Sequence, residues 1–244
     1  MPHLESMQNL TNSKVLKSFW VWLVLLCLLA SDQIIKLYIK SHYPLGEVGR
    51  LTNWCIIHFT ENPGMAFGFT FGAEYGKIAL TLFRVAASVW GIVYLRSIVK
   101  KKYPGGYIVS VVCILAGAMG NIFDSLFYGI WFDRGTVWNS DFNTYMGYEG
   151  TAQWGQGYAP WLQGCVVDMF YFPLIEGTFP AWLPYWGGES FEFFRPVFNL
   201  ADACITSGVI WLLLFNKRYQ KIIASTRAAD SSESSVNPLS DQPE

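Results

Sequence analysis

The chain has 244 residues, of which 52% are hydrophobic and 14% are charged, and its formal net charge is −1. Soluble domains carry about 25% charged residues, so this composition excludes a disordered chain and disfavours a soluble enzyme. The charge balance offers no general basic surface, which argues against a nucleic-acid partner. An integral membrane protein with a sizeable polar portion is the class that remains.

Four apolar stretches predict four transmembrane helices, at about 19–39, 78–98, 107–127 and 197–215. Each stretch has close to the roughly 20 residues that a helix needs to cross the hydrocarbon of a bilayer. We interpret the first as an uncleaved anchor, because Leu28 occupies the position where cleavage after Ala30 would require a small residue.

The basic residues predict the orientation of these helices. Ten of the 17 lysines and arginines lie before the first stretch, between the second and third, or after the fourth. Because basic residues favour the cytoplasmic side, both termini are predicted to be cytoplasmic and the two long connections extracytoplasmic. The predicted regions are a cytoplasmic N-terminus at 1–17, a membrane core at 18–217 and a cytoplasmic, disordered tail at 218–244.

The two outer connections contain strand signals. An alternating stretch at 51–60 predicts a β-strand and is followed by the turn signal Glu61-Asn62-Pro63-Gly64. A second strand is predicted at 165–172. The whole second outer connection, about 128–196, is rich in aromatic residues, glycine and proline, and it is predicted to form a small layer on the membrane interface, where amphipathic rings are favourable. Cys55 and Cys165 could form a disulfide, although five small buried thiols are favoured.

Three carboxyl groups fall inside the predicted spans, and acidic residues in such segments are costly and indicate function. They belong to Asp32, Asp124 and Asp202. A rise of about 1.5 Å per residue, counted from the predicted ends of the spans, places all three in the outer part of the bilayer. Three carboxyl groups at a similar depth predict a site.

Two of these residues repeat the pattern Asn-x-x-Asp, as Asn121 with Asp124 and Asn199 with Asp202. Residues three apart share a helix face, so two spans are each predicted to present an amide and a carboxyl group. Facing carboxyl groups in a low dielectric hold one proton between them, and so supply a base for water and an acid for a leaving group. This chemistry suits hydrolysis of a bond at the membrane surface. The spans contain no histidine, which argues against a zinc site.

Two other functions are open at this point. A small proton-coupled transporter could use Asp32, Asp124 and Asp202 as a relay, although no internal repeat is visible. A structural protein could use the same groups as polar contacts in a packing seam, with Gly117 and Gly120 allowing close helix approach.

Five motifs follow one another within about 18–217. They are Asp32-Gln33-Ile34-Ile35-Lys36, Glu61-Asn62-Pro63-Gly64-Met65-Ala66-Phe67, Gly117-Ala118-Met119-Gly120-Asn121-Ile122-Phe123-Asp124, Val166-Val167-Asp168 and Phe198-Asn199-Leu200-Ala201-Asp202. In this order they resemble the motifs of the lipoprotein signal peptidases, also called signal peptidase II. The resemblance implies an all-α membrane protein of four transmembrane helices with a small extracytoplasmic β-cradle.

The resemblance also implies an activity and a site. A member of this family is an aspartic endopeptidase of the bacterial inner membrane that needs no cofactor or metal. It cuts prolipoproteins before a cysteine that carries a diacylglyceryl group, in contact with membrane lipid, and it binds cyclic peptide inhibitors of the globomycin type. By position the catalytic pair falls on Asp124 and Asp202. The substrate-binding or supporting positions are Asp32, Lys36, Asn62, Gly64, Asn121, Asp168, Asn199 and Ala201.

Two features depart from the family pattern. Ser125 stands directly after Asp124, where the family commonly has arginine. The connection at 128–165 is long, and both an aromatic lid and a decorative insertion are open interpretations.

Arg84, in the second span, is predicted either to pair with Asp32 or to extend its charged end to the outer interface.

Overall fold

The structure is a computed structural model, and it describes residues 2–52, 54–64, 73–173, 175–193 and 196–236. Four long helices dominate it: α1 (Pro2–His42), α2 (Ala73–Lys100), α3 (Gly105–Trp131) and α4 (Leu200–Val236). Within the described residues, four helical segments are long and apolar enough to cross a membrane: Ser18–His42, Tyr75–Lys100, Gly105–Trp131 and Leu200–Thr226. This confirms the four predicted spans.

The central helix is α3, which packs against α1, α2 and α4. In the apolar 18-residue stretch of α3, 50% of the residues are buried inside the protein. In the corresponding stretch of each of the other three helices, only 17% are buried. Large apolar side chains such as Phe83 and Leu213 are therefore exposed on the outside of the bundle, with 70% and 72% of their surface accessible. Such surfaces are favourable when the surrounding solvent is lipid.

In the part of the chain that the structure describes, seven short strands lie in the two long connections between helices: β1 (Val48–Arg50), β2 (Ile56–Asn62), β3 (Val137–Asn139), β4 (Thr144–Met146), β5 (Val166–Tyr171), β6 (Ile175–Thr178) and β7 (Ser190–Phe193). They form an antiparallel three-stranded sheet in the order β1-β2-β5 and two separate hairpins, β3-β4 and β6-β7. The sheet confirms the small outer β-layer. The strand predicted to begin at 51 begins at Ile56 instead, because the Leu51 amide donates to the Cys55 carbonyl between β1 and β2.

Two apolar clusters hold the bundle together. The inner cluster joins α1, α2 and α3 through Leu25, Leu95, Ile98, Val112, Leu115 and Ala116. The outer cluster joins the ends of α1 and α3 to the sheet and to the long connection, through Ile39, Ile57, Phe59, Tyr128, Phe132, Ala152, Val167 and Met169. The outer cluster fixes the sheet directly above the helix ends, and so positions the functional residues of both layers against one another.

Three details differ from or settle the sequence predictions. Helix α4 begins at Leu200 rather than near 197, because Phe198 pairs with Phe170 of β5. It continues to Val236, so the part of the tail that the structure describes is helical rather than disordered; extending a formed helix does not repeat the cost of nucleation. All five cysteines, including Cys55 and Cys165, are free.

Candidate active site

The site is built around Lys36, one turn after Asp32 on α1. The Lys36 ammonium lies 2.9 Å from Asp32 Oδ2 and 2.8 Å from Asp124 Oδ2. It also donates a hydrogen bond of 2.8 Å to Asn121 Oδ1. Lys36 is fully buried, so its charge is compensated entirely by these side chains. A buried charge with such partners is tolerated because pairing and hydrogen bonds offset its lost hydration.

Asp124 is completely buried and fully bonded. Gln33 Nε2 donates to Asp124 Oδ1 at 2.9 Å, and the Val167 amide donates to Asp124 Oδ2 at 3.3 Å. Gln33 is held in turn by Tyr128, whose hydroxyl donates to Gln33 Oε1 at 3.1 Å. Asp124 therefore links α1, α3 and β5 through one carboxylate.

Asp202 lies in the first turn of α4, and Asn199 precedes that helix as its cap. The backbone amide of Asp202 donates to Asn199 Oδ1 at 2.9 Å, and the backbone amide of Asn199 donates to Asp202 Oδ2 at 3.4 Å. This reciprocal arrangement is a capping box, which satisfies amide groups that a helix start leaves unpaired. The prediction that both Asn-x-x-Asp pairs lie on a helix face is thus wrong for Asn199, which is outside the helix.

Two asparagine side chains connect the separate carboxyl groups. Asn121 Nδ2 donates to Asp202 Oδ1 at 2.8 Å. Asn199 Nδ2 donates to two acceptors, Asn121 Oδ1 at 3.1 Å and Asp168 Oδ1 at 2.6 Å. The amides therefore place Asp202 and Asp168 in one hydrogen-bonded chain.

Asp168 is the acidic residue of β5, and only 5% of it is exposed. Burial, followed by the negative charge of Asp202, raises the pKa of Asp168 to about 7. Lys36 and hydrogen bonds from Asn199 and Asn62 act against that rise. Two carboxyl groups that interact in this way favour a state with one proton between them.

Close approach of α3 to the start of α4 brings these groups together. A Cβ atom at Gly117 would lie 2.2 Å from the carbonyl oxygen of Ala201, and one at Gly120 would lie 2.6 Å from Asp32 Oδ2. The Ala201 amide donates to Asp32 Oδ1 at 2.9 Å. Glycine at these two positions is therefore required for the contact, as the sequence predicted.

A cavity of about 580 Å³ opens among α2, α3 and α4. Its wall is mostly apolar and includes Phe83, Trp90, Val111 and Leu115, together with the polar side chains Asn121 and Asp202. Arg84 lies in the same wall, where it interacts with the charge of Asp202 and donates to the Gly64 carbonyl at 3.3 Å. Within the described ranges Arg84 forms no ion pair with Asp32, so the first of its two predicted roles is not observed.

The structure brings together nine of the ten predicted site residues in one network: Asp32, Lys36, Asn62, Asn121, Asp124, Asp168, Asn199, Ala201 and Asp202. Gly64 lies beside it, since its amide donates to Asn62 Oδ1 at 2.9 Å and its φ of 89° suits glycine. Among the residues described, however, no hydrogen bond joins Asp124 to Asp202. Asn199, by contrast, bonds to both Asp168 and Asp202, and the charge of Asp202 acts on Asp168, so these contacts favour Asp168 over Asp124 as the neighbour of Asp202.

Sequence reasoning missed Gln33 and Tyr128. For Gln33 the available signal was the set of polar residues at 32, 33, 36 and 40, which lie along one face of an otherwise apolar helix. Ser125 fills its position differently from an arginine: its hydroxyl donates to the Asn121 carbonyl at 3.1 Å.

Comparison with known proteins agrees with this geometry. A family model described as signal peptidase (SPase) II matches residues 24–217. A lipoprotein signal peptidase of Porphyromonas gingivalis is 45% identical over 196 residues, 78% of this chain and 80% of the relative. One from Amoebophilus asiaticus is 35% identical over 191 residues, 77% of this chain and 72% of the relative.

A solved structure described as a bacterial membrane enzyme, determined by the in meso method at 2.3 Å resolution, has a similar fold. Its TM-score is 0.50 at 18% identity, and the match covers 82% of this chain and 88% of that one. The fold and the site thus define a multi-pass membrane enzyme whose buried carboxyl groups meet at one end of the bundle. The chain belongs to the signal peptidase II family. This confirms the resemblance and the predicted peptidase, and it disfavours the transporter alternative.

Proposed function

We propose that the protein removes the signal peptide from prolipoproteins, cutting before a cysteine that carries a diacylglyceryl group. The observation that carries the proposal is the half-buried Asp202, which lies in the wall of a large apolar cavity and beside the buried Asp168. An apolar cavity among spans suits the apolar segment of a signal peptide. The carboxyl pair supplies the acid and base that peptide hydrolysis requires.

The pair we assign to catalysis is Asp168 and Asp202, with Asp124 as a positioning residue. Asp124 is fully buried, and its two oxygens are occupied by Lys36, Gln33 and the Val167 amide. Such a group has little capacity to take a proton from water. Asp202, by contrast, borders the cavity, and Asp168 interacts with its charge.

Asp168 is the more deeply buried of the two, and burial raises its pKa, which favours the shared proton on Asp168; Asp202, which borders the cavity, then acts as the base. Asp202 takes a proton from a water molecule as the water attacks the scissile carbonyl carbon. Asp168 donates its proton to the developing oxyanion, which gives a neutral tetrahedral diol. Asp202 then passes its proton to the amide nitrogen as the C–N bond breaks, and Asp168 takes a proton back from a diol hydroxyl as the carboxylic acid forms. Asn199 and Asn121 hold both carboxyl groups in place through the bonds described above.

The location of the enzyme is part of the same proposal. We place the protein in the bacterial inner membrane with both termini cytoplasmic and the carboxyl groups near the extracytoplasmic face. Support comes from the distribution of basic residues. Membrane lipid would contact the exposed apolar faces of the helices, and globomycin-type cyclic peptides would compete with substrate for the cavity.

Turnover of a diacylglyceryl-modified prolipoprotein by the protein in lipid vesicles tests the proposal. Asp168→Asn and Asp202→Asn should each lower kcat by at least roughly 10²–10⁴-fold, the typical contribution of general acid–base groups. Asp124→Asn should keep measurable turnover, because that group acts by positioning. Abolished turnover in Asp124→Asn with substantial turnover in Asp168→Asn would instead support the pair predicted from the sequence. EDTA should have no effect on the wild-type rate.

A further inference from the structure

A second buried ion pair lies outside the network of the site. The Lys40 ammonium, in the last turn of α1, contacts the Glu61 carboxylate of β2, and neither side chain is exposed to solvent. Neither residue was among the predicted site residues. A fully buried pair is costly in free energy unless its remaining hydrogen-bonding groups are satisfied.

Among the residues that the structure describes, the other partners of this pair come from the long connection at 132–165. The Arg134 carbonyl accepts from Lys40 at 3.1 Å, and the Thr136 amide donates to Glu61 Oε2 at 2.6 Å. The Tyr148 hydroxyl donates to Glu61 Oε1 at 3.1 Å. The Lys40 ammonium also lies 5.0–5.4 Å from the ring centroids of Phe132, Tyr148 and Tyr158. Such an arrangement stabilises the cation and fixes the connection to α1 and β2.

Glu61 directly precedes Asn62, and both lie in the part of β2 that pairs with β5. Glu61 is opposite Val167, and Asn62 is opposite Val166. Adjacent strand residues point to opposite faces, so the carboxylate and the amide of these neighbours face away from each other. Asn62 hydrogen-bonds Asp168, which is its diagonal neighbour across the strands.

We propose that Glu61 is a positioning residue, which with Lys40 fixes the connection 132–165 to β2 and thereby holds the Asn62 amide against Asp168. The connection is then a fixed support of the site rather than a lid or a decorative insertion. The inference rests on the proposed function for its effect on turnover, but its effect on the two strands is independent of activity.

The first test is Glu61→Gln, which keeps the side-chain shape and removes the charge. Its kcat should fall on the order of 10- to 100-fold, as expected for a misplaced catalytic group, while KM stays within about twofold of wild type. Glu149→Gln is the matched control, because it makes the same chemical change at an exposed glutamate of the same connection whose side chain is not part of the buried pair. That control should leave both constants unchanged. A raised KM or an unchanged kcat in Glu61→Gln would overturn the proposal.

A double-mutant cycle tests whether Glu61 acts through Asn62. Glu61→Gln should reduce kcat no further in an Asn62→Ala background, because the amide that it positions is already absent. Losses that multiply would overturn the proposal. If Glu61→Gln does not fold, Lys40→Met combined with Glu61→Gln removes both charges and should recover a folded enzyme for the same cycle.

Amide hydrogen exchange separates this inference from the proposed function. Exchange at 60–62 and 166–168 should be faster in Glu61→Gln than in wild type and unchanged in Glu149→Gln. An inactive wild type would reject the proposed function while leaving this measurement decisive. Equal exchange in Glu61→Gln and wild type would reject the positioning role, whatever the activity.

Discussion

Asp168 makes catalysis sensitive to pH near neutrality. Because its pKa is raised to about 7, this carboxyl group loses its proton as the pH rises through that value. The pair then carries two negative charges and lacks its acid, so kcat should fall above about pH 7. Asn62 lowers the pKa of Asp168, so Asn62→Ala should move the alkaline limb to higher pH. Rates measured between pH 5 and pH 9 check both expectations, and a limb at the same pH in both proteins would contradict them.

The same group makes stability depend on pH. In the unfolded chain Asp168 returns to its ordinary pKa of 3.8, so the native state binds this proton more tightly. The stabilisation is present at low pH and is lost as the pH rises from about 4 to about 7, with a slope approaching about 1.4 kcal/mol per pH unit. Asp168→Asn cannot titrate. The free energy of unfolding of wild type relative to this variant should therefore fall across that window, and a constant difference would contradict the assignment.

Lys36 neutralises two buried carboxyl groups at once. Lys36→Met would leave Asp32 and Asp124 without a cation, and breaking a buried pair typically costs about 3–5 kcal/mol. The variant should show a markedly lower thermal midpoint and little turnover. Lys100→Met, at the exposed end of α2, is the control and should unfold like wild type. Similar midpoints for both variants would show that the Lys36 network is not needed for stability.

Among the elements, α3 and α4 depend on a backbone-to-backbone contact at Gly117. Gly117→Ala would place a methyl group against the Ala201 carbonyl, and overpacking of this kind costs about 1–3 kcal/mol. Since the start of α4 carries Asn199 and Asp202, activity should fall together with stability. Gly105→Ala is the control. The added methyl group at the start of α3 would meet no atom within 4 Å, so this variant should be neutral. Unfolding and turnover of the two variants compare these sites directly.

Length and apolarity were enough to predict all four helices, because both properties are local to the sequence. The start of α4 was missed because it depends on the contact of Phe198 with Phe170, which lie 28 residues apart. The partner that we propose for Asp202 also differs from the predicted one, Asp124, for a tertiary reason. The repeated Asn-x-x-Asp pattern favoured Asp124, whereas the neighbour of Asp202 comes from a strand whose position depends on sheet register.

For the whole molecule, the proposed topology predicts opposite accessibility for two exposed connections. A cysteine introduced at Asp141, which is exposed in the turn between β3 and β4, should react with a membrane-impermeant reagent added to intact cells with the outer membrane permeabilised. One introduced at Lys101, between α2 and α3, should react only after the inner membrane is disrupted. The wild-type chain is labelled in parallel, to measure the background reaction of its own five cysteines. Labelling in the reverse pattern would invert the orientation.

The bond between the Ala201 amide and Asp32 joins residues 169 positions apart, and the contacts from Asn121 to Asp202 and Asn199 span 81 and 78 positions. Synthesis proceeds at about 5–20 residues per second, so the first span waits on the order of ten seconds for the last. Until α4 emerges from the ribosome, the nascent chain contains neither Asp202 nor the cap that orients it. On the proposed assignment, hydrolytic capability therefore arises only after the last span has been synthesised, because a chain that stops before Asp202 lacks the proposed base.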